Sequence, residues 1–120
     1  MKKLFLMATM LLMFGAAKAQ ISDVQQKSGR IYTYGDNNKE LGSMLINSSE
    51  EYLGMGSSFF VVKSGGRIYT YDANCRQISA MLFNSSEIFK SAGGNSFNIK
   101  RGGRIYTYDK NCKELSSRLE

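Results

Sequence analysis

The stretch FFVVKSGGRIYTYDANCRQISA, residues 59–80, decides the fold. It is β-branched and aromatic on either side of Gly65-Gly66 and contains no proline, the composition of two strands joined by a tight hairpin. A two-residue primed turn needs positive φ at both central positions, which paired glycines adopt without a steric penalty. With that turn, Ser64 faces Arg67, Val62 faces Tyr69 and Phe60 faces Tyr71. Side chains alternate along a strand, so these six share one side. Lys63, Ile68, Thr70 and Asp72 take the other. The tyrosine side is the more apolar of the two, so the sequence predicts that it packs the core and that the Ile/Thr side is the outer one.

The hexapeptide GRIYTY recurs at 29–34, 66–71 and 103–108, each copy starting 37 residues after the last. Asn-Ser-Ser-Glu recurs with it at 47–50 and 84–87, as a polar turn. Self-similarity at such a period means a supersecondary unit used several times. A second hairpin, turning at Asp36-Asn37, Ala73-Asn74 and Lys110-Asn111, sets Tyr32 opposite Leu41, Tyr69 opposite Ile78 and Tyr106 opposite Leu115. The tyrosine side then gains Leu41, Ser43 and Leu45, then Ile78, Ala80 and Leu82, then Leu115, Ser117 and Leu119. Slipping the register by one would turn all of them to the polar side. The predicted unit is a three-stranded antiparallel meander over 21–46, 57–83 and 95–119, with 48–54 and 86–91 as fourth strands. Asp23 and Gln25 stand in the first unit where the second has Phe60 and Val62, which suits an exposed terminal strand. The expected fold is all-β, three meander units in pseudo-threefold, β-prism-like packing. A partial β-propeller or another meander sandwich or barrel is the alternative.

The same meander resembles a repeat of the bulb-type mannose-binding lectins, whose sugar motif reads Gln-x-Asp-x-Asn-x-Val-x-Tyr along a hairpin. Aligned on its tyrosine, the chain reads Gln26-x-Ser28-x-Arg30-x-Tyr32-x-Tyr34, then Lys63-x-Gly65-x-Arg67-x-Tyr69-x-Tyr71, then Lys100-x-Gly102-x-Arg104-x-Tyr106-x-Tyr108. Gln26, Tyr34, Tyr71 and Tyr108 match. The resemblance implies a β-prism of three units and carbohydrate binding.

The chain opens MKKLFLMATMLLMFGAAKAQ, with two lysines, an apolar run too short to span a bilayer, and small residues up to Ala19. It reads as a bacterial secretory signal peptide over 1–19, leaving 20–120 as a single repeat domain, secreted or periplasmic, with no transmembrane segment after signal removal. Loss of the leader takes three lysines and leaves 13 basic against 10 acidic side chains. No Lys/Arg block survives, so nucleic acid is not an expected partner.

The sequence has no histidine, which removes the commonest general base, the Ser-His and Cys-His pairs and most transition-metal sites. No enzyme activity, metal site or cofactor is expected. Cys75 and Cys112 sit at equivalent positions of two repeats and would form a disulfide only if the repeats brought them together. Asp72 and Asp109 begin Asp-x-Asn turns, where a side-chain hydrogen bond is the ordinary role. Arg30, Arg67 and Arg104 follow the turn on the tyrosine side and are the candidate ligand contacts. The expected function is a small secreted, non-catalytic binding or interaction module, whose partner is an extracytoplasmic protein or glycan contacted weakly three times. Lectin-like carbohydrate binding is one alternative. A structural component of an envelope or extracellular assembly, with self-association, is another.

Overall fold

The computed structural model of the chain describes residues 20–120, so the leader expected over 1–19 lies outside the described residues. Among these described residues eleven strands follow one another: β1 (Asp23–Lys27), β2 (Arg30–Tyr34), β3 (Glu40–Leu45), β4 (Glu50–Met55), β5 (Phe60–Ser64), β6 (Arg67–Tyr71), β7 (Gln77–Leu82), β8 (Ile88–Gly93), β9 (Ser96–Arg101), β10 (Arg104–Asp109) and β11 (Glu114–Leu119). Each pairs antiparallel with chain neighbours, and they form three sheets: β1-β2-β3, β4-β5-β6-β7 and β8-β9-β10-β11. Among the described residues no helix is long and apolar enough to cross a membrane.

The first hairpin of each unit follows the glycines. Gly65 and Gly66 take φ of 58° and 86°, Gly102 and Gly103 take 58° and 85°, and Ser28 accepts 50° before Gly29 at 80°. Phe60 pairs with Tyr71, Val62 with Tyr69 and Ser64 with Arg67, as the turn dictates.

The second hairpin corrects the expected register. Its link is longer than two residues because the Asp72 carboxylate accepts the amides of Asn74 (2.9 Å) and Arg76 (3.0 Å) while the Asp72 amide donates to the Arg76 carbonyl (2.9 Å). The left-handed residue is Cys75 (φ 65°), matched by Cys112 (62°) in the third unit and Asn38 (58°) in the first. A bulge between Thr70 and Tyr71 completes the adjustment. Tyr69 therefore pairs with Ala80, Tyr106 with Ser117 and Tyr32 with Ser43. The slip is by two residues, an even number, so the alternation of faces survives it.

The sheets stack face to back. Ile31 and Met44, from the Ile/Thr side of the first sheet, pack with Phe60, Val62 and Tyr71 from the tyrosine side of the second. Val61, Ile68 and Met81, from the Ile/Thr side of the second, pack with Phe97, Ile99, Tyr106 and Tyr108 from the tyrosine side of the third. A pseudo-threefold prism would gather one central cluster from all three sheets. Here each of the two clusters is drawn from consecutive sheets, and the arrangement is linear.

This stacking also corrects the expected inner face. Ile31, Thr33, Ile68 and Thr70 are fully buried, while Tyr32, Tyr34, Tyr69, Tyr71 and Tyr106 are only half-buried. The middle sheet has no outer side. Thr33 Oγ1 donates to the Ala73 carbonyl and Thr70 Oγ1 to the Lys110 carbonyl, both at 2.6 Å. The Ile21 amide donates to the Ser57 carbonyl and the Ser57 amide to the Gly94 carbonyl, both at 2.8 Å. The threonine bond recurs at both interfaces at the repeat spacing, so one displacement relates each sheet to the next.

Candidate functional site

The three candidate arginines occupy one repeated corner of the stack. Arg30, Arg67 and Arg104 begin the middle strands just after the primed turns, and across the sheet they pair with Leu45, Leu82 and Leu119, the last residues of β3, β7 and β11. Those leucines are 71%, 71% and 74% exposed. They were expected in the core, and the structure places them outside it. The expected register did not show this, because the slip of two residues is what brings each leucine opposite its arginine, at the strand end and beyond the apolar centre of the neighbouring sheet.

The corners are not identical. Arg30 Nη2 donates to Ser43 Oγ at 3.0 Å and Arg104 Nη2 to Ser117 Oγ at 3.1 Å. In the second sheet the equivalent residue is Ala80, which has no acceptor, and Arg67 is exposed. A further difference lies one strand away. Lys27 Nζ sits 5.6 Å from the centre of the Tyr32 ring and the Arg101 guanidinium 4.7 Å from that of Tyr106, whereas Ser64 holds the equivalent place beside Tyr69. The second corner thus combines an arginine held by no serine, an aromatic ring without a covering cation, and an exposed leucine.

Stacked sheets lie about 10 Å apart, so the shared displacement spaces the three corners by roughly that amount. A guanidinium offers a planar fork of donors suited to carboxylates, and the leucine beside it offers apolar area. The arrangement can bind. Reactivity has much less support among the described residues.

Burial raises the Cys75 thiol pKa, against a hydrogen bond with Thr33, and it raises that of Cys112 against bonds with Ser79 and Thr70. Asp72 adds to the rise at Cys75 and Asp109 to that at Cys112, and a protonated thiol is a poor nucleophile. The two cysteines are free and do not form the disulfide considered from sequence. Each belongs to a different inter-sheet contact, one sheet spacing from the other, and about 10 Å exceeds the reach of a bridge.

Asp109, like Asp72, spends its carboxylate on loop amides, those of Asn111 (2.9 Å) and Lys113 (3.1 Å). Glu87 is ion-paired with Arg101, which also donates to the Tyr108 hydroxyl at 3.1 Å. Among the described residues no three His, Cys, Asp or Glu side chains gather in a way that could hold a metal ion. Of the four positions that match the lectin motif, Gln26 is exposed on β1, while Tyr71 stacks on Phe60 (5.3 Å) and Tyr108 on Phe97 (5.7 Å). Tyr34 is half-buried. No family model and no curated protein matches the chain.

Proposed function

We propose that this chain is a secreted, non-catalytic binding module that presents three equivalent Arg–Leu corners to one repetitive partner. The observation that supports it is the threefold exposure of Leu45, Leu82 and Leu119. A leucine whose purpose is packing is buried, and a single exposed one needs no explanation. The same exposed leucine beside the same arginine in every repeat is a different matter. The partner suited to it is an extended protein segment with carboxylates next to apolar side chains, repeated at about the sheet spacing. Each contact is weak alone, and the three act together through effective concentration.

Export rests on the leader-like opening of the sequence. Carbohydrate binding is the second reading, favoured by Tyr69, whose ring lacks the cation that covers Tyr32 and Tyr106. Peptide arrays of acidic and apolar composition, run beside glycan arrays, test the two together. The first reading expects peptide binding that falls a few-fold for Leu82→Ser and by roughly 10²- to 10⁴-fold when Leu45, Leu82 and Leu119 are all replaced by serine. Circular dichroism should be unchanged, since exposed side chains contribute little to folding. Glycan binding that depends on Arg67 and Tyr69 alone would favour the lectin reading. Binding untouched by the triple leucine variant would end the first.

A further inference from the structure

The three sheets differ in one respect that the repeat makes conspicuous. The second and third begin with a fourth strand, β4 and β8, whereas among the described residues the first has only β1, β2 and β3. Among the described residues β1 therefore presents an unpaired edge at the place where β5 receives β4 and β9 receives β8. Such an edge is a template for another strand.

The surroundings of that place are already shaped for a strand. In β4, Tyr52 and Met55 pair with Val62 and Phe60, which puts them on the side of the second sheet that faces the first. Both pack only at the margin of the cluster between the two sheets and remain half-exposed. Their counterparts in β8, Phe89 and Ala92, are covered at the next interface by β4 itself: a Cβ built on Gly54 would lie 3.2 Å from the Phe89 ring and 3.6 Å from the Ala92 Cβ. Over Tyr52 the described residues place β1, whose Val24 joins the same cluster, and no fourth strand of the first sheet stands where Gly54 stands over Phe89.

The charges agree. Glu87, just before β8, is ion-paired with Arg101, whose guanidinium also lies over Tyr106. Lys27 occupies the position of Arg101 in the first unit and lies over Tyr32 in the same manner, yet among the described residues it has no carboxylate partner.

We propose that the free edge of β1 is a strand-addition site for an extended peptide of a partner protein, antiparallel to β1. The peptide carries an acidic residue opposite Lys27 and a small residue opposite Val24. Both requirements come from the strands that fill the equivalent place: Glu50 and Glu87 at the first position, Gly54 and Ser91 at the second. Main-chain hydrogen bonds supply affinity in this mode, and the alternate side chains supply selectivity.

The probe is a synthetic peptide, NSSEEYLGMG, with the sequence of residues 47–56. Added to the purified protein, it should slow hydrogen exchange in β1 and leave β11 unaffected. Lys27→Glu, at an exposed position that folding does not need, should weaken binding roughly two- to fivefold, and a peptide with lysine in place of its first glutamate should restore it. A peptide with valine in place of its first glycine should not bind. Absence of any protection of β1 at millimolar peptide would overturn the proposal. So would a Lys27→Glu variant that binds both peptides like the parent. Protection, in the protein alone, of the β1 amides that point away from β2 would assign the edge to the chain's own N-terminal segment. If that protection rose with protein concentration, the occupant would be a second copy. Either result sinks the partner-peptide reading.

Discussion

Thr70 shows how much a single hydroxyl can carry in a stacked sheet. It is fully buried and donates to the Lys110 carbonyl at 2.6 Å, while Thr107, its counterpart in the third sheet, turns to Asn98 Oδ1 of its own sheet at the same distance. Replacing Thr70 by Val keeps the shape and takes the donor from the part-buried Lys110 carbonyl, which costs about 1 kcal/mol. Thr107→Val should cost less, since Asn98 is only half-buried and can turn to water. Urea denaturation should show a lower midpoint for Thr70→Val at an unchanged slope, and equal losses for the two variants would refute the assigned role. The same threonine marks where the sequence was misread. Alternation in GRIYTY separates two faces correctly but does not say that both are covered. The signal was nearby in Phe59-Phe60-Val61-Val62, a continuous apolar run, which is the mark of a strand buried on both sides. Phe97-Asn98-Ile99 lacks that continuity, and it belongs to the end sheet.

Among elements, the hairpins closed by glycine pairs were fully legible, because positive φ at two adjacent residues leaves few alternatives to glycine. The β6–β7 and β10–β11 links were not, since their length depends on which amides the Asp72 and Asp109 carboxylates accept, and composition does not record that choice. The leucine corners were hidden for a related reason: the pairing placed Leu82 on the right face, but how far the sheets overlap is a tertiary fact. β4 offers a direct test of burial at the first interface. Desolvation pushes the Tyr52 hydroxyl up to about 12, with the nearby Asp23 carboxylate adding to the rise. The folded state thus holds a proton that the unfolded chain releases near its ordinary value of 10.0. Stability from this group is complete below pH 10 and declines as pH rises from about 10 to 12, because the unfolded state then binds fewer protons than the folded one. Denaturant midpoints measured across that range should fall for the parent and fall less for Tyr52→Phe. Parallel curves would mean that Tyr52 is not desolvated.

At the scale of the molecule, a stack with one repeated interface raises the question of what stops it. Identical faces would continue head to tail without closure, the geometry that produces filaments. The two outer faces answer it by substitution. Where the second sheet has Phe60 and Val62, the first has Asp23 and Gln25; where the second has Val61, Met81 and Phe83, the third has Asn98, Arg118 and Glu120. Asn98 takes the hydroxyl of Thr107, which in the second sheet would reach the next loop, and Glu120 pairs with Lys100 at 2.9 Å. A hydrogen bond from Lys100 also holds the Glu120 carboxyl below its ordinary pKa. Polar outer faces of this kind are what end repeats use to remain soluble. The substitutions make both outer faces of the described sheets polar, and reversing them should promote association. Asn98→Val, Arg118→Met and Glu120→Phe on the third sheet, combined with Asp23→Phe and Gln25→Val on the first, recreate the faces that meet inside the stack. Sedimentation velocity should show a mass that rises with concentration for the combined variant, while either set alone leaves one polar face and associates far less. Equal association by the two partial variants would show that the new apolar faces join at random, and that the interface inside the stack does not specify how copies meet.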